Sequence, residues 1–369
     1  MTTEAHAGME AQLSAFKDPE LAHGLIRSIR ALAPEHANLM EVCGTHTVAI
    51  ARNGIRALMP EGTRLLSGPG CPVCVTHNRD IDTVIALARI PEVTIATFGD
   101  MLRVPGSTSS LIREKAAGHA VEVVYSPLDA IKFAQDHPQR QVVFVGVGFE
   151  TTTPLVAVAI KRAMALNLPN FSVFVAHKNM PNALEAIVAD PSLQVDALIL
   201  PGHVSTIIGA EPYRFLAEQY GIPGVITGFE PVDVLQGIAM LMRQLHEGRA
   251  EIEIAYARGV MEQGNPVARA AIEEVFETCT TMWRGLGSIP DSGYRIRDEY
   301  ARYDAVKRFQ PEVEPTREPK GCRCGDVLRG AMAPSECPLF DKVCSPENPL
   351  GPCMVSSEGS CAAHYRYYR

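Results

Sequence analysis

Cysteine is the residue type in this sequence that offers the most chemistry, because ten cysteines are present and several are spaced as redox pairs or metal ligands are. Cys71 and Cys74 form a C-x-x-C pair with proline at the second position. This spacing brings two sulfurs together at the start of a helix, where the helix dipole and free amides lower the pKa of a thiol. We predict a dithiol/disulfide couple, with half of a structural zinc site and a thioredoxin-like oxidoreductase as the alternatives.

A third thiol, Cys43, opens the run Cys43-Gly44-Thr45-His46-Thr47. A lone cysteine is often only a small buried apolar side chain. Here the glycine permits a close approach of the backbone, and the polar residues that follow are of no use to an apolar core. We therefore expect Cys43 to be a functional thiolate, whereas His46 is equally compatible with a site residue and with a structural histidine.

Six of the ten cysteines lie in the tail from Gly321 to Arg369, which is rich in proline and is not expected to form regular helix or sheet. The tail lacks the paired C-x2-C knuckles of zinc ribbons and the C-x2-C-x2-C run of bacterial ferredoxins. Single cysteines on wide loops favour a [4Fe–4S] cluster, with a structural zinc as the alternative. We predict that Cys337, Cys344 and Cys361 are ligands.

The fourth cluster ligand is predicted to be Cys322 or, as the alternative, Cys324, which lie two residues apart. The one that does not bind the cluster would pair with Cys353 as a second redox couple. Cys279, in the helix-like run EEVFETCTTMW, is predicted to pack in the core.

These residues need a scaffold, and the apolar pattern predicts an α/β fold. Eight short runs rich in Val, Ile and Leu alternate with helix-sized spacers, as buried parallel strands do: NLMEV, TRLLSG, VTIATF, AVEVVYS, VVFVGV, FSVFVA, ALILPG and PGVITG. An amphipathic helix is predicted over residues 10–32, and helices are predicted again from residue 251 to about Trp283. We divide the chain into α/β domains at 1–137 and 138–250, a helical segment and extended connector at 251–320, and the tail at 321–369.

Most of the polar motifs follow directly after predicted strands, where the crevice of an open parallel sheet lies. The Cys43 run, the Cys71/Cys74 pair, Glu150 and His203 are all placed in this way. Gly146-Val147-Gly148 does not continue as a dinucleotide fingerprint, because the third glycine is absent and Glu150 would oppose a pyrophosphate. Glu150 could accept a proton or hold a backbone amide, and His203 is equally open between a functional and a structural role. The tripeptide Gly-Phe-Glu occurs twice after an apolar run, at residues 148–150 and 228–230, as a weak internal repeat.

Composition excludes several classes of function. The formal net charge is −8 and no Lys/Arg-rich run occurs, so a nucleic-acid partner is not expected. No run approaches the ~20 apolar residues of a membrane span, and the polar, acidic N-terminus does not resemble a signal peptide. We expect a cytoplasmic protein, in which clustered cysteines serve metal or redox chemistry rather than structural disulfides.

Along nearly its whole length the sequence resembles the HypD family of [NiFe]-hydrogenase maturation factors. The resemblance is carried by Cys43-Gly44-Thr45-His46-Thr47, by the run 68–74 around Cys71 and Cys74, by Gly148-Phe149-Glu150-Thr151-Thr152, by Pro201-Gly202-His203-Val204-Ser205, and by the tail from CRCGDVLRG to GPCMVSSEGSC. It implies two similar α/β domains facing a cleft and a C-terminal [4Fe–4S] module.

The resemblance also implies a role. Members of this family form a complex with the small chaperone HypC and carry an iron on which two cyanides and one carbon monoxide are assembled, the cyanide being delivered by HypE. Cys43 would then be the iron-binding thiolate, Cys71 and Cys74 the dithiol near it, and the cluster a source of electrons. Thr45 stands where the family often has glycine, so no role is carried over to it.

Three classes of function compete at this stage. The first is a scaffold that assembles a metal centre, and the second is an iron–sulfur-dependent disulfide reductase. The third, a hydrolase or transferase, lacks a G-x-S-x-G nucleophile elbow. Cys43 favours the scaffold, because a reductase acting through Cys71 and Cys74 has no need of a third thiol.

Overall fold

In the computed structural model, which describes residues 18–368, all eight predicted apolar runs form strands. Their side chains are almost entirely buried in the central strands, as expected for parallel sheets covered by helices on both faces. The strands are β1 (Ala37–Glu41), β2 (Thr63–Ser67), β3 (Val93–Thr97), β4 (Ala120–Val123), β5 (Gln141–Gly146), β6 (Phe171–Val175), β7 (Ala197–Pro201) and β8 (Gly224–Thr227). A short ninth strand, β9 (Ile252–Ile254), was not predicted.

The strands form two parallel sheets, which confirms the α/β class. The first sheet has the order β2-β1-β7-β8-β9 and the second has the order β4-β3-β5-β6. The chain therefore leaves the first sheet after β2, builds the whole second sheet, and returns with β7. The predicted boundary at residue 138 is corrected by this pairing, because it falls between β4 and β5 of one sheet. Strand-like runs do not reveal which sheet a strand joins, so the crossing was invisible in the sequence.

The helices lie between and around these strands. They are α1 (Pro19–Leu32), α2 (Gly44–Arg52), α3 (Ile55–Leu58), α4 (Pro72–Val75), α5 (Asn78–Ala88), α6 (Leu111–Ala116), α7 (Pro127–Asp136), α8 (Thr153–Ala165), α9 (Met180–Val188), α10 (Gly202–Ile208), α11 (Arg214–Glu218), α12 (Pro231–Glu247), α13 (Pro266–Val275), α14 (Ala305–Phe309), α15 (Cys324–Leu328), α16 (Pro352–Val355) and α17 (Ser360–Tyr367). The predicted helix at 10–32 begins at Pro19, where the Asp18 side chain accepts hydrogen bonds from the amides of Glu20 and Leu21. The part of that prediction before residue 18 lies outside the described residues.

An antiparallel hairpin replaces the last part of a predicted helix. Helix α13 ends at Val275, and β10 (Phe276–Trp283) pairs with β11 (Gly287–Ile296). Burial alternates along β10, as the pattern of aromatic, threonine and charged residues requires of a strand with one covered face. Gly285 and Gly287 have positive φ in the turn. Cys279 consequently lies on a strand and is only partly buried, which corrects its prediction as a core residue of a helix.

The connector and the tail complete the chain. Residues 311–319 have no regular secondary structure, as the prolines predict. The tail contains the short helices α15, α16 and α17, so the expectation that it would hold hardly any helix is corrected. Its apolar side chains Val327, Leu328 and Met354 pack in the same cluster as Met40 of β1. Within residues 18–368, no helix combines the length and the apolar character that a bilayer span requires.

Candidate functional site

The strand order of the first sheet reverses between β1 and β7. From β1 the chain continues to β2 on one side, and from β7 it continues to β8 and β9 on the other. Such a switch point is where the crevice of an open α/β sheet lies, just beyond the carboxyl ends of the strands. Cys43 follows β1 and His203 follows β7, so the structure brings these two predicted site residues to the same crevice.

Cys43 is fixed by its own backbone. It caps α2 in an extended conformation, and its amide donates to Glu41 Oε2 at 3.1 Å. Thr47 Oγ1 donates to the other oxygen of Glu41 at 2.5 Å, and burial raises the pKa of this carboxyl to about 8. The strand end and the first turn of the helix are thereby tied together around the thiol.

Burial also raises the pKa of the Cys43 thiol, to about 12, and the negative charges of Glu358 and Glu41 add to the rise. Hydrogen bonds from the backbone of His46 and Thr45 act in the opposite direction but do not prevail. In the protein alone the group is a thiol at neutral pH, so the thiolate expected from the sequence requires a bound cation to displace the proton.

Two glycines let neighbouring segments touch the Cys43 backbone. A Cβ at Gly70 would lie 2.1 Å from the Cys43 nitrogen, and the Gly44 amide donates to the Gly70 carbonyl at 3.0 Å. A Cβ at Gly44 would lie 2.6 Å from Cβ of Glu358 in the tail. Any larger side chain at either position would therefore push the Cys71/Cys74 loop or the tail away from Cys43.

Two histidines stack on the ring of Phe229. The ring centroid of His46 lies 4.8 Å from that of Phe229, and the ring centroid of His203 lies 3.9 Å from it, both in stacked arrangements. His46 is buried, its Nε2 lies 2.9 Å from the Gly228 carbonyl, and burial lowers its pKa to about 4. His203 is exposed. The geometry gives His46 a structural, neutral role and leaves His203 at the open side of the crevice.

Phe229 is a site residue that the sequence analysis noticed only as part of the Gly-Phe-Glu repeat. A groove of about 570 Å³ opens beside it, lined among others by Thr45, Arg52 and Glu230. The groove exposes Thr45, the second residue after Cys43, to solvent-accessible space.

Cys71 and Cys74 form a disulfide, with their Cα atoms 5.2 Å apart. Cys71 caps α4, and its sulfur accepts a hydrogen bond from the Cys74 amide at 3.2 Å, so the pair sits at a helix start as predicted. Both residues are buried. In this form neither sulfur is available to a metal ion.

Glu150 belongs to the second sheet, directly after β5, and is buried. Its Oε1 accepts a hydrogen bond from the amide of Met180, the first residue of α9, at 2.9 Å. Burial raises its pKa to about 7. No hydrogen bond joins Glu150 to Cys43 in the described part of the chain. Of its two predicted roles, the one seen here is that of holding a backbone amide.

Five of the six tail cysteines lie together in one apolar cluster. Cys353 lies in hydrogen-bonding range of both Cys324 and Cys361, and these contacts raise the pKa of Cys353 and lower that of Cys361 to about 6. Cys322 lies in the same range of Cys324, and the contact together with burial raises its pKa. The five are Cys322, Cys324, Cys344, Cys353 and Cys361, all free thiols in one apolar cluster. Cys337 is half-buried at the end of the 3-10 turn Pro334–Glu336 and lies outside that cluster.

The donor set of the tail fits an iron–sulfur cluster in chemistry and number, because four thiolates are required and six thiols are present. A Cβ at Gly351 would lie 2.6 Å from the Cys324 sulfur and 3.0 Å from the Cys322 sulfur, so the backbone leaves room around these two. Within residues 18–368, no three His, Cys, Asp or Glu side chains are arranged to hold a single metal ion. A cluster with four iron corners does not need its ligands to converge on one point, so the two observations are compatible.

The tail thiols, the disulfide and Cys43 are contiguous. Helices α15 and α16 pack against α4, and Cys71 and Cys74 share an apolar cluster with Cys324, Cys353 and Cys361. Between Cys353 and Cys361 the chain passes over α2, where Thr45 Oγ1 donates to Glu358 Oε1 at 2.6 Å. Glu358 is a site residue that the sequence analysis missed, since nothing in the local sequence indicates a contact with a residue 313 positions away.

Comparisons with known proteins cover nearly the whole chain. The family model HypD, described as the hydrogenase formation hypA family, matches residues 20–368. The chain is similar to the hydrogenase maturation factor HypD of Azotobacter vinelandii, with 50% identity over 363 residues and 96% of each chain covered. It is also similar to the factors of that name from Cupriavidus necator, with 48% identity over 364 residues and 96% of each chain covered, and from Escherichia coli K12, with 42% identity over 362 residues, 95% of this chain and 96% of the relative.

Proposed function

The chain belongs to the HypD family of hydrogenase maturation factors, and we propose that it is a scaffold on which an iron ion acquires two cyanides and one carbon monoxide. The iron is the cargo of the reaction. A HypC-like small chaperone would share the iron, and a HypE-like protein would donate cyanide.

The observation that carries the proposal is the position of Cys43. It lies at the switch point of the first sheet, beside an open groove, and its backbone is in contact with the loop of the Cys71–Cys74 disulfide. A soft thiolate is a suitable ligand for iron that also holds strong-field diatomic ligands. Glu41 and Thr47 keep the Cys43 backbone in one position, so the buried thiol is held at the switch point, two residues before Thr45 in the wall of the groove.

Cys71 and Cys74 would set the redox state of the site. Reduction of their disulfide takes up two electrons and two protons and yields two thiols, and oxidation returns them. Cys324 and Cys353 contact each other in the cluster that also surrounds the disulfide, which supports them as the second redox pair of the tail.

Cys337, Cys344 and Cys361 would hold a [4Fe–4S] cluster, together with Cys322 or, as the alternative, Cys324. When bound, the cluster would supply electrons one at a time. The contacts of Cys322 and Cys353 with Cys324 favour Cys322 as the ligand, because Cys324 then remains next to Cys353.

An iron–sulfur-dependent disulfide reductase is the second candidate, because the packing of the disulfide against the tail thiols would serve it as well. It gives no role to Cys43 or to the groove beside Thr45 and Phe229. The two candidates therefore differ in what the loss of Cys43 does.

Infrared spectroscopy of the anaerobically purified protein with its small partner tests the proposal, because cyanide and carbonyl stretches absorb where proteins do not. We expect the bands in the unaltered protein and in Cys279→Ala, a matched control on β10, and their complete loss in Cys43→Ala. The Cys43→Ala protein should keep its fold and the visible absorbance of the tail. Bands that persist in Cys43→Ala would remove this thiol from the function and favour the reductase.

A further inference from the structure

A cavity of about 710 Å³ lies between the loop that precedes α6 and the connector and tail. None of the cysteines and histidines of the candidate site lines it. Its volume falls within the range of about 300–1,000 Å³ that is typical of small-molecule sites. Because the cavity shares no cysteine or histidine with the candidate site, what it binds is independent of the proposed function.

Four cationic side chains line the cavity: Arg103, Arg113, Arg317 and Lys320. Among residues 18–368, none of the four forms an ion pair with a carboxylate, and the one hydrogen bond of these side chains runs from Arg103 Nη1 to the Pro346 carbonyl, at 3.2 Å. In a chain with a net charge of −8, four cations without a partner carboxylate around one cavity are a local excess of positive charge.

The carboxylates near the cavity are already engaged. Glu318, which lines it, is bonded to Arg284, and Glu347, the other lining carboxylate, also has a partner. Glu314 pairs with Arg89 at 2.5 Å and accepts from Thr108 at 3.0 Å. Even when both lining carboxylates are counted in full, four cations against two anions leave a charge of +2.

The segment at Arg317 is held in the cavity wall by hydrogen bonds to its main chain rather than by its own side chain. Ser107 Oγ accepts from the Arg317 amide at 2.7 Å and donates to Asp82 Oδ2 at 2.6 Å, and Asn78 Nδ2 donates to the Arg317 carbonyl at 2.6 Å. The Arg317 side chain is therefore not needed to close the wall, and its removal should leave the cavity intact.

We propose that this cavity binds a phosphorylated small molecule. A phosphate monoester carries about −1.5 to −2 charges at neutral pH, which matches the excess of +2, whereas a single carboxylate would neutralise only half of it. Guanidinium groups bind phosphate oxygens in pairs, and an ammonium adds a point charge. Arg113, Arg317 and Lys320 would hold the phosphate, and Ile112 and Leu350 would face the organic part.

Isothermal titration calorimetry of the full-length protein, at about 0.15 M salt so that weak surface contacts are screened, tests the site. The probes are orthophosphate, pyrophosphate and ATP, with citrate as a carboxylate of comparable charge. We expect saturable binding of at least one phosphate compound and a rise in its Kd of about tenfold or more in Arg317→Ala/Lys320→Ala. Orthophosphate and ATP distinguish a bare phosphate from an organic phosphate.

The matched control is Arg27→Ala/Arg30→Ala, which removes two exposed cations from α1, a helix that does not line the cavity. It should bind as the unaltered protein does, and Arg317→Lys/Lys320→Arg should retain most of the affinity. Should Arg317→Ala/Lys320→Ala fail to fold, Arg113→Ala replaces it, since Arg113 is exposed and unbonded to any carboxylate of the described chain.

Three results would overturn the proposal. The first is the absence of binding of all three phosphate compounds at millimolar concentration. The second is equal affinity in the unaltered protein and in Arg317→Ala/Lys320→Ala or Arg113→Ala. The third is binding of citrate as tight as that of the phosphates, which would identify a general anion surface.

Discussion

In both parallel sheets the carboxyl ends of the strands are covered by another segment of the chain, but the covering segment differs. At the first sheet, the segments after β1, β2 and β7 carry thiols and histidines, and the tail lies over them through Glu358 and through α15 and α16. At the second sheet, the segments after β5 and β6 are covered by the hairpin β10–β11. The Asn179 amide donates to the Ser292 carbonyl at 2.9 Å, and Phe149 stacks on Trp283.

The two covers are ordered by different forces. The hairpin has an antiparallel ladder, with one register shift between Cys279 and Thr281, and a buried tryptophan, so core packing holds it in place. The tail has only short helices, and five free thiols lie among the apolar side chains with which it packs on the core. A cover held by packing alone stays closed at any redox potential, whereas a cover that also contains a group of thiols can respond to oxidation and to metal binding.

Buried charge reinforces the carboxyl edge of the second sheet. Lys178, which follows β6, is 1% exposed and donates to the Met282 carbonyl of the hairpin at 2.9 Å, with Asp80 at 3.9 Å. Burial lowers the pKa of this lysine. Leaving a buried ammonium without its hydrogen-bond partners costs several kcal/mol. Separation of the hairpin from the second sheet would remove the Met282 carbonyl from Lys178 and is therefore unfavourable.

Substitution of the tail thiols is expected to give the largest difference between the tail and the hairpin. If these thiols hold the proposed cluster, alanine at Cys337, Cys344 or Cys361 should abolish its visible absorbance and speed hydrogen exchange in the tail, because the metal would add to the packing of Val327, Leu328 and Met354. Cys353→Ala should keep the absorbance and lose only the cyanide and carbonyl bands, and Cys279→Ala should lose neither. A bleached Cys353→Ala together with a coloured Cys361→Ala would reverse our ligand assignment.

The hairpin should instead respond to a change in packing. Trp283 is 1% exposed, stacks on Phe149, and donates from Nε1 to Ser292 Oγ at 2.8 Å. Trp283→Ala should therefore lower the free energy of unfolding by about 3–5 kcal/mol in a denaturant titration. The neighbouring Met282 is 41% exposed, so Met282→Ala should cost less than about 1 kcal/mol. Equal costs for the two variants would contradict the view that packing orders this cover.

The buried carboxyl of Glu150, which follows β5 of the second sheet, predicts that the free energy of unfolding depends on pH. The pKa of Glu150 is raised from 4.5 to about 7, so the folded state keeps its proton where the unfolded state has lost it. This contribution to stability is fully present below pH 4.5, falls as the pH rises, and is gone above pH 7, a loss of roughly 3 kcal/mol. Glu150→Gln should flatten the decline measured between pH 5 and 8. An unchanged slope in the variant would assign the decline to other groups, such as Glu41.

Local features of both sheets can be predicted from the sequence, whereas long-range pairings cannot. The strands β1 to β8 and the helix start at Cys71 were predictable, because apolar runs and a capping position are local signals. The hairpin was mistaken for helix although β10 alternates in burial, since the preceding helical pattern runs directly into it. The placement of β7 beside β1 and the contact of Glu358 with Thr45 depend on pairings across more than 150 residues, for which one sequence holds no signal.

The smallest expected effect concerns a hydrogen bond that joins the tail to the first helix turn after Cys43. Thr45 Oγ1 donates to Glu358 Oε1 at 2.6 Å, and a hydrogen bond to a charged group contributes about 1.5–3 kcal/mol, less where it is partly exposed as here. Thr45→Ala should therefore speed hydrogen exchange of the amides at 356–360 by about tenfold while leaving the hairpin unaffected. Thr151→Ala, at the corresponding position of the second sheet and exposed, is the control and should change neither segment. If Thr45→Ala leaves exchange at 356–360 unaltered, packing alone holds this part of the tail, and the two covers are more alike than the thiol cluster implies.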